Sequence, residues 1–199
     1  MKKIVLATKN PGKVRELRAA LAHLPVEVVS LADFGELPDA VENGRTFGEN
    51  ARIKACFYRE KTGCDCLADD SGLEVEVLSG APGVHSARFA GFHADDATNN
   101  AKLREELRAH GVTCSPADYR CVLSFAGLDG TEYETEGCCE GKVALEPKGE
   151  NGFGYDPYFY TADYPGRTMA ELTIEEKDCI SHRGRALRAM VRKLEEYLK

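Results

Sequence analysis

Residues 2–29, KKIVLATKNPGKVRELRAALAHLPVEVV, decide the fold class. The apolar run predicts a buried strand over 2–8. Val14, Leu17, Leu21 and Leu24 then recur at helical spacing, so a helix follows. VEVV at 26–29 predicts a second short strand, and a β-α-β start favours a parallel or mixed sheet.

The remaining sequence extends that pattern. Thr46 and Glu49 form a capping-box pair that opens a helix through about Glu60, and Gly63 closes it. CLADDSGLEVEVL (66–78) predicts a strand ending at the Asp69-Asp70 pair, then a second strand with Leu73, Val75 and Val77 on one face. ATNNAKLREELRAHG (97–111) predicts a helix. YRCVLSFAGLDGTEYETEG (119–137) predicts a hairpin with Asp129-Gly130 at its turn. In SHRGRALRAMVRKLEEYL (181–198), Leu187, Met190, Val191, Leu194 and Leu198 form the apolar stripe of a last helix. The expected class is α/β, a mixed central sheet with flanking helices, in one domain over residues 1–199.

With 199 residues, 43% hydrophobic and 30% charged, the composition is that of a globular protein with one sizeable core or two smaller ones. No stretch approaches the roughly 20 apolar residues that span a bilayer. Two lysines precede an apolar run too short for a secretory segment, so no targeting signal is read and a cytoplasmic location is expected. A net charge of −7 argues against a general affinity for nucleic-acid backbone, though not against a small anion in a local basic pocket. The eight cysteines are too dilute for a disulfide scaffold and lack zinc-site spacing; reduced thiols are expected.

Four stretches carry candidate chemistry. TKNPGK (8–13) is not a P-loop, since both the spacing and the final hydroxyl are wrong. It is either a strand-to-helix turn or a phosphate site of Thr8, Asn10 and Lys13 around a helix N-terminus, whose N–H groups attract anions. A lysine there opposes the helix dipole unless an anion lies close. ADDSG (68–72) is a solvated turn or a divalent-cation site, with Glu42 as a further oxygen ligand of the kind magnesium takes. Asn50 and Lys54, four apart, share a helix face directed at that site or at solvent. GENGFGYDPYF (149–159) is a plain loop or an aromatic platform for a base. His182, Arg183 and Arg185 crowd a helix start against the dipole, with Lys177 upstream. Either Glu175, Glu176 and Asp178 neutralise them, or they serve a ligand.

Taken together, TKNPGK, ENGRTFGENARIKA (42–55), ADDSGLEVEVLSGAPGVHSAR (68–88) and GENGFGYDP with ELTIEEKDCISHRGRAL (149–157, 171–187) resemble the inosine/xanthosine triphosphate pyrophosphatase family. The likeness runs from the first strand to the last helix in consistent order. It implies a homodimer with two lobes around an active-site cleft, and magnesium-dependent cleavage of ITP, dITP or XTP to the monophosphate and pyrophosphate. It implies that the 8–13 stretch (Thr8, Lys9, Asn10, Pro11, Gly12 and Lys13) binds the triphosphate, with Lys9 and Pro11 at positions the family pattern leaves open. It assigns Mg2+ to Glu42 and Asp70, and the proton-accepting role to Asp70. Ser71 is a further substrate contact by the same likeness, and Lys54, from its place on the helix beside that site, is expected to help stabilise the pyrophosphate charge. Substrate contacts follow at Phe153, Gly154, Tyr155 and Asp156, and base contacts at Lys177, His182 and Arg183.

Overall fold

In the computed structural model, which describes residues 2–199, the opening stretch folds as β1 (Lys2–Leu6), α1 (Pro11–Leu21) and β2 (Val26–Ser30). Then come α2 (Phe47–Thr62), β3 (Asp65–Val75), α3 (Asp96–Ala109), β4 (Cys114–Ala126) and β5 (Glu132–Ala144). The chain closes with β6 (Phe159–Thr161), α4 (Ile174–Ile180) and α5 (His182–Tyr197). The six strands form one sheet in the order β2-β1-β3-β4-β5-β6. β1 pairs in parallel with β2 and β3, while β5 and β6 are antiparallel, so the sheet is mixed as expected. Among the described residues no helix is long and apolar enough to cross a membrane.

The chain forms two compact units. The first comprises residues 1–70, 121–136 and 183–199, and the second residues 71–120 and 137–182. The first has two cores, one on each face of its strands, and the alternation of β1 assigns them. Ile4 and Leu6 pack with Leu67, with Leu17 and Leu21 of α1, and with Leu187, Met190 and Leu194 of α5. Val5 and Ala7 point the other way, toward Cys66, Ala68 and the α2 residues Ala55 and Tyr58. The second unit has its own core of Leu73, Val75, Leu103, Leu107, Tyr119, Val143 and Phe159.

The α2 start is built as its sequence dictates. Thr46 Oγ1 accepts from the Glu49 N–H at 3.2 Å, and a Glu49 oxygen returns to the Thr46 N–H at 3.3 Å. Gly63 ends α2 in the left-handed conformation, at φ 63°.

One element differs from expectation. β3 does not stop at the carboxylate pair; it runs through Asp69 and Asp70 to Val75, and Val77 lies beyond it in a 3-10 turn. A buried strand tolerates two adjacent carboxylates only if each finds cations. The pleat makes that feasible by sending the two side chains to opposite faces, Asp69 with Leu67 and Asp70 with Ala68.

Candidate active site

The first unit gathers a cluster of carboxylates and cations around β3. Asp69 is 1% exposed and bonded on both oxygens. Lys13 holds Oδ1, Arg183 Nε donates to Oδ2 at 2.8 Å, and the Cys121 thiol lies 3.1 Å from Oδ2. Arg183, itself 2% exposed, donates through Nη1 to Glu16 Oε2 at 2.6 Å. Burial acts against the Asp69 charge, but Arg183 and Lys13 outweigh it and hold the carboxyl well below the usual carboxylate range. The same burial pushes the Cys121 thiol well up, and the Asp69 charge adds to it. None of the eight cysteines is in a disulfide.

On the opposite face, Asp70 meets α2. Lys54 Nζ lies 3.0 Å from Asp70 Oδ1 and 2.8 Å from Glu42 Oε2, one ammonium between two carboxylates. Asp70 Oδ2 is buried without a hydrogen-bond partner. Burial therefore raises the Asp70 carboxyl, with Lys54 and Lys13 offsetting only part of the shift and Glu42 adding to it. For Lys54 burial works the other way, yet the Asp70 and Glu42 charges keep its ammonium raised.

Glu42 reaches this cluster from a loop that α2 fixes. Asn50, one turn before Lys54, accepts the Gly44 N–H at 2.8 Å. A Cβ at Gly44 would lie 2.7 Å from Asn50 Oδ1, so this close approach requires glycine. Asn50 thus positions the loop, and Lys54 alone of the pair reaches a carboxylate of the cluster.

Two observations test whether these residues fit magnesium. The orphaned, buried Oδ2 of Asp70 is an acceptor that lacks a positive partner. Glu42 and Asp70 offer only oxygen, and among the described residues no group of three or more histidine, cysteine, aspartate or glutamate residues could hold a metal. Magnesium takes one or two carboxylates and completes its shell with water and phosphate oxygens, so this set fits it. Asp69 does not belong to that set, because Lys13, Arg183 and Cys121 engage both its oxygens.

The α1 start corrects the anion argument made from sequence. Asn10 is the N-cap, and its Oδ1 accepts from Gly12 N at 2.8 Å and Lys13 N at 3.1 Å. Pro11 has no N–H. The first-turn donors are therefore spent, and an anion here must be met by side chains. Thr8 Oγ1 accepts from the Asn10 N–H at 3.1 Å and keeps its hydroxyl proton to donate. Lys9 is exposed and paired with Asp39 at 2.6 Å. Lys13 has the anion its position demands, in Asp69.

In the second unit, Phe153, Gly154, Tyr155, Asp156 and Lys177 come together, while Ser71 sits on β3 directly after Asp70. Asp156 Oδ2 accepts from Lys177 Nζ at 2.7 Å and from the Phe153 N–H at 3.0 Å. The Lys177 ammonium lies 4.7 Å from the centre of the Phe153 ring. Gly152 lets this turn close, since a Cβ there would fall 2.1 Å from Asp156 Oδ2 at φ +78°. His182 is buried and stacks on Tyr119 with ring centres 4.6 Å apart, and Tyr119 packs on Phe159 at 4.5 Å. Of the three expected base contacts, Lys177 and His182 belong to the second unit, and Arg183 to the carboxylate cluster of the first.

Sequence reading missed Glu16, Cys121, Tyr119 and the two α3 residues bonded to Gly154, Asp96 and Asn100. It also missed α4, which carries Lys177. Here a signal was present, because Thr173 and Glu176 form a capping box in the structure. Glu176 pairs with Arg167 at 3.0 Å; Asp69 and Glu16 are the carboxylates that meet Arg183.

The model of the Ham1 family matches residues 4–193. A protein of Syntrophobacter fumaroxidans named dITP/XTP pyrophosphatase is 50% identical over 98% of this chain and 83% of its own length. Its namesake from Geobacillus kaustophilus is 48% identical over 98% of this chain and 96% of its own. The solved HAM1 protein from Coxiella burnetii superposes with a TM-score of 0.88 at 42% identity, covering 98% of this chain and all of that one. This chain belongs to the Ham1 family.

Proposed function

We propose that this chain is a single-domain nucleoside-triphosphate pyrophosphatase. It hydrolyses the non-standard purine nucleotides ITP, dITP and XTP to the monophosphate and pyrophosphate, and it requires magnesium. The observation that carries the reading is Asp70, a buried carboxylate with one oxygen on Lys54 and the other without a partner. The names of the relatives, dITP/XTP pyrophosphatase, support the substrate class.

Glu42 and Asp70 would hold the magnesium ion, which, when bound, would offset phosphate charge and make a water more acidic. Asp70 takes the proton of the water that attacks the α-phosphorus, a role suited to a buried carboxylate with one oxygen left without a hydrogen-bond partner. Lys54 and Lys13 stabilise the charge that develops on the departing pyrophosphate, with the Thr8 hydroxyl as a further donor. Asp69 does not react. It anchors the Lys13 ammonium, and Arg183 keeps Asp69 ionised when Lys13 turns to phosphate. Within the 8–13 stretch, Asn10, Pro11 and Gly12 shape the turn, and Lys9 contributes charge from the surface. Ser71 contacts the substrate next to Asp70.

The second-unit set matches the chemistry of the base. Phe153 offers a stacking face, with Gly154 and Tyr155 setting the turn. Lys177, oriented by Asp156, and His182 donate to O6. Hypoxanthine and xanthine accept there, whereas adenine presents an amino group and leaves those donors unmatched. Polar mismatch of this kind discriminates by orders of magnitude. The reading extends to a homodimeric, cytoplasmic protein without nucleic-acid or membrane partners. Family resemblance supports the dimer, and the net charge of −7 disfavours a nucleic-acid backbone as partner.

The test is release of pyrophosphate and orthophosphate from ITP, XTP, GTP, ATP and dTTP, with and without magnesium. Pyrophosphate from ITP and XTP alone, and only with magnesium, is expected. Orthophosphate as the first product, or no preference for ITP, would refute the reading.

A further inference from the structure

Three glycines around Phe153 and Tyr155, as in residues 149–155, describe a backbone free to move. The fold removes that freedom at Gly154. Its N–H donates to Asp96 Oδ2 at 2.7 Å, and its carbonyl accepts from Asn100 Nδ2 at 2.8 Å. Asp96 and Asn100 lie four apart on α3, so both leave one face of the helix and grip the same residue from its two polar sides.

Capping does not account for Asp96. Asp95 already fills that role, accepting the Thr98 N–H at 2.8 Å. Asn100 is buried, and its Oδ1 has no partner, so the amide is committed to Gly154 at the cost of an unpaired acceptor. Adjacent contacts hold the same turn. Tyr155 donates its hydroxyl to the Ser86 carbonyl at 2.7 Å. Asn99 accepts from the Ala90 N–H at 2.9 Å and donates to the Ala87 carbonyl at 3.2 Å, fixing the segment that carries Ser86.

We propose that Asp96 and Asn100 are positioning residues whose grip on Gly154 fixes the Phe153 ring and the Asp156–Lys177 pair, and so sets affinity and selectivity for a keto purine. Phe153 and Tyr155 flank Gly154 in the chain, and Asp156 bonds both the Phe153 N–H and Lys177. A slack Gly154 therefore displaces stacking face and donor together. The proposal rests on the reading of Phe153 and Lys177 as the base end of the site.

The experiment is steady-state kinetics on the full chain with ITP, ATP and magnesium, alongside thermal melts. Asn100→Asp loses the donor and sets a carboxylate against a carbonyl. Asp96→Ala loses the acceptor at an exposed position, so it tests the grip even if Asn100→Asp fails to fold. Both should raise KM for ITP about tenfold, within the worth of one lost hydrogen bond, with kcat within about threefold and a reduced preference for ITP over ATP. Asp96→Asn keeps an acceptor and should remain within about threefold of the parent KM, a rescue that general loosening of the fold would not produce. Phe153→Ala separates the two levels of the claim. If it raises KM while Asp96→Ala and a folded Asn100→Asp do not, the grip is refuted and the base reading stands. If Phe153→Ala leaves KM and selectivity unchanged, the base reading falls and the proposal falls with it.

Discussion

The Asp69–Asp70 pair of the first unit and Asp156 of the second are balanced differently. In the second unit Asp156 is closed: a lysine at 2.7 Å and a backbone N–H at 3.0 Å converge on one of its oxygens. In the first, Asp69 is closed on both oxygens, but its neighbour is not. Asp70 shares a single ammonium with Glu42 and buries an oxygen that nothing meets. A closed pair fixes shape and tolerates a neutral ligand beside it. An open one leaves a demand for positive charge, which a bound cation would supply. On the proposed function, the second unit serves as the shape reader and the first as the reaction centre.

That contrast breaks most visibly at Asp70. Asp70→Asn keeps the size and removes the basicity, so kcat should fall by about 10²–10⁴, the usual worth of a general base. Its melting temperature should stay near that of the parent, because Lys54 retains Glu42. Near-normal turnover at saturating magnesium would end the assignment.

One residue earlier, the same substitution should act mainly on stability. Asp69→Asn leaves the buried Arg183 and Lys13 without their shared carboxylate, which costs about 3–5 kcal/mol by urea denaturation. Because the folded Asp69 carboxyl lies below its ordinary 3.8, its stabilisation is complete above that value and lost as pH falls through the depressed one. The stability gap between parent and Asp69→Asn should thus narrow in acid and persist at neutral pH. An equal effect of Asp69→Asn and Asp70→Asn on stability would erase the distinction between them.

Two smaller effects sharpen the comparison. Phe153→Ala should raise KM for ITP about five- to hundredfold, as expected for a lost stacking contact of roughly 1–3 kcal/mol, with kcat nearly unchanged. Lys9→Gln should change KM less than about threefold, since exposed pairs such as Lys9–Asp39 contribute little and the proposed function gives the phosphate contact to Lys13. A larger loss at Lys9 would move the phosphate site outward.

Much of the fold was legible because its signals are local. The opening β-α-β pattern, the Thr46–Glu49 capping box, Gly63 and the apolar stripe of α5 each act within a few residues. The continuation of β3 through Asp69 and Asp70 was not, because the charges that permit it come from afar. Lys13 is 56 residues from Asp69, and Arg183 is 114 away. The same distance hid the role of Arg183: at a helix start it reads as a donor awaiting a ligand, whereas Asp69 and Glu16 meet it. Asp70 was legible as a residue but not as a condition, since its unpaired oxygen arises only once Lys54 and Glu42 are packed beside it. Asp96 and Asn100 resembled any polar face of a helix. Only the arrival of Gly154, 54 residues after Asn100, gives them a role.

The most direct test of the account is hydrolysis of ITP in H₂¹⁸O with magnesium, with ATP in a parallel reaction, following the phosphorus of each product by ³¹P NMR. Water attack at the α-phosphorus, promoted by Asp70, predicts ¹⁸O in the inosine monophosphate, unlabelled pyrophosphate and ATP left intact. Label in pyrophosphate or orthophosphate, or equal turnover of ATP, would contradict it.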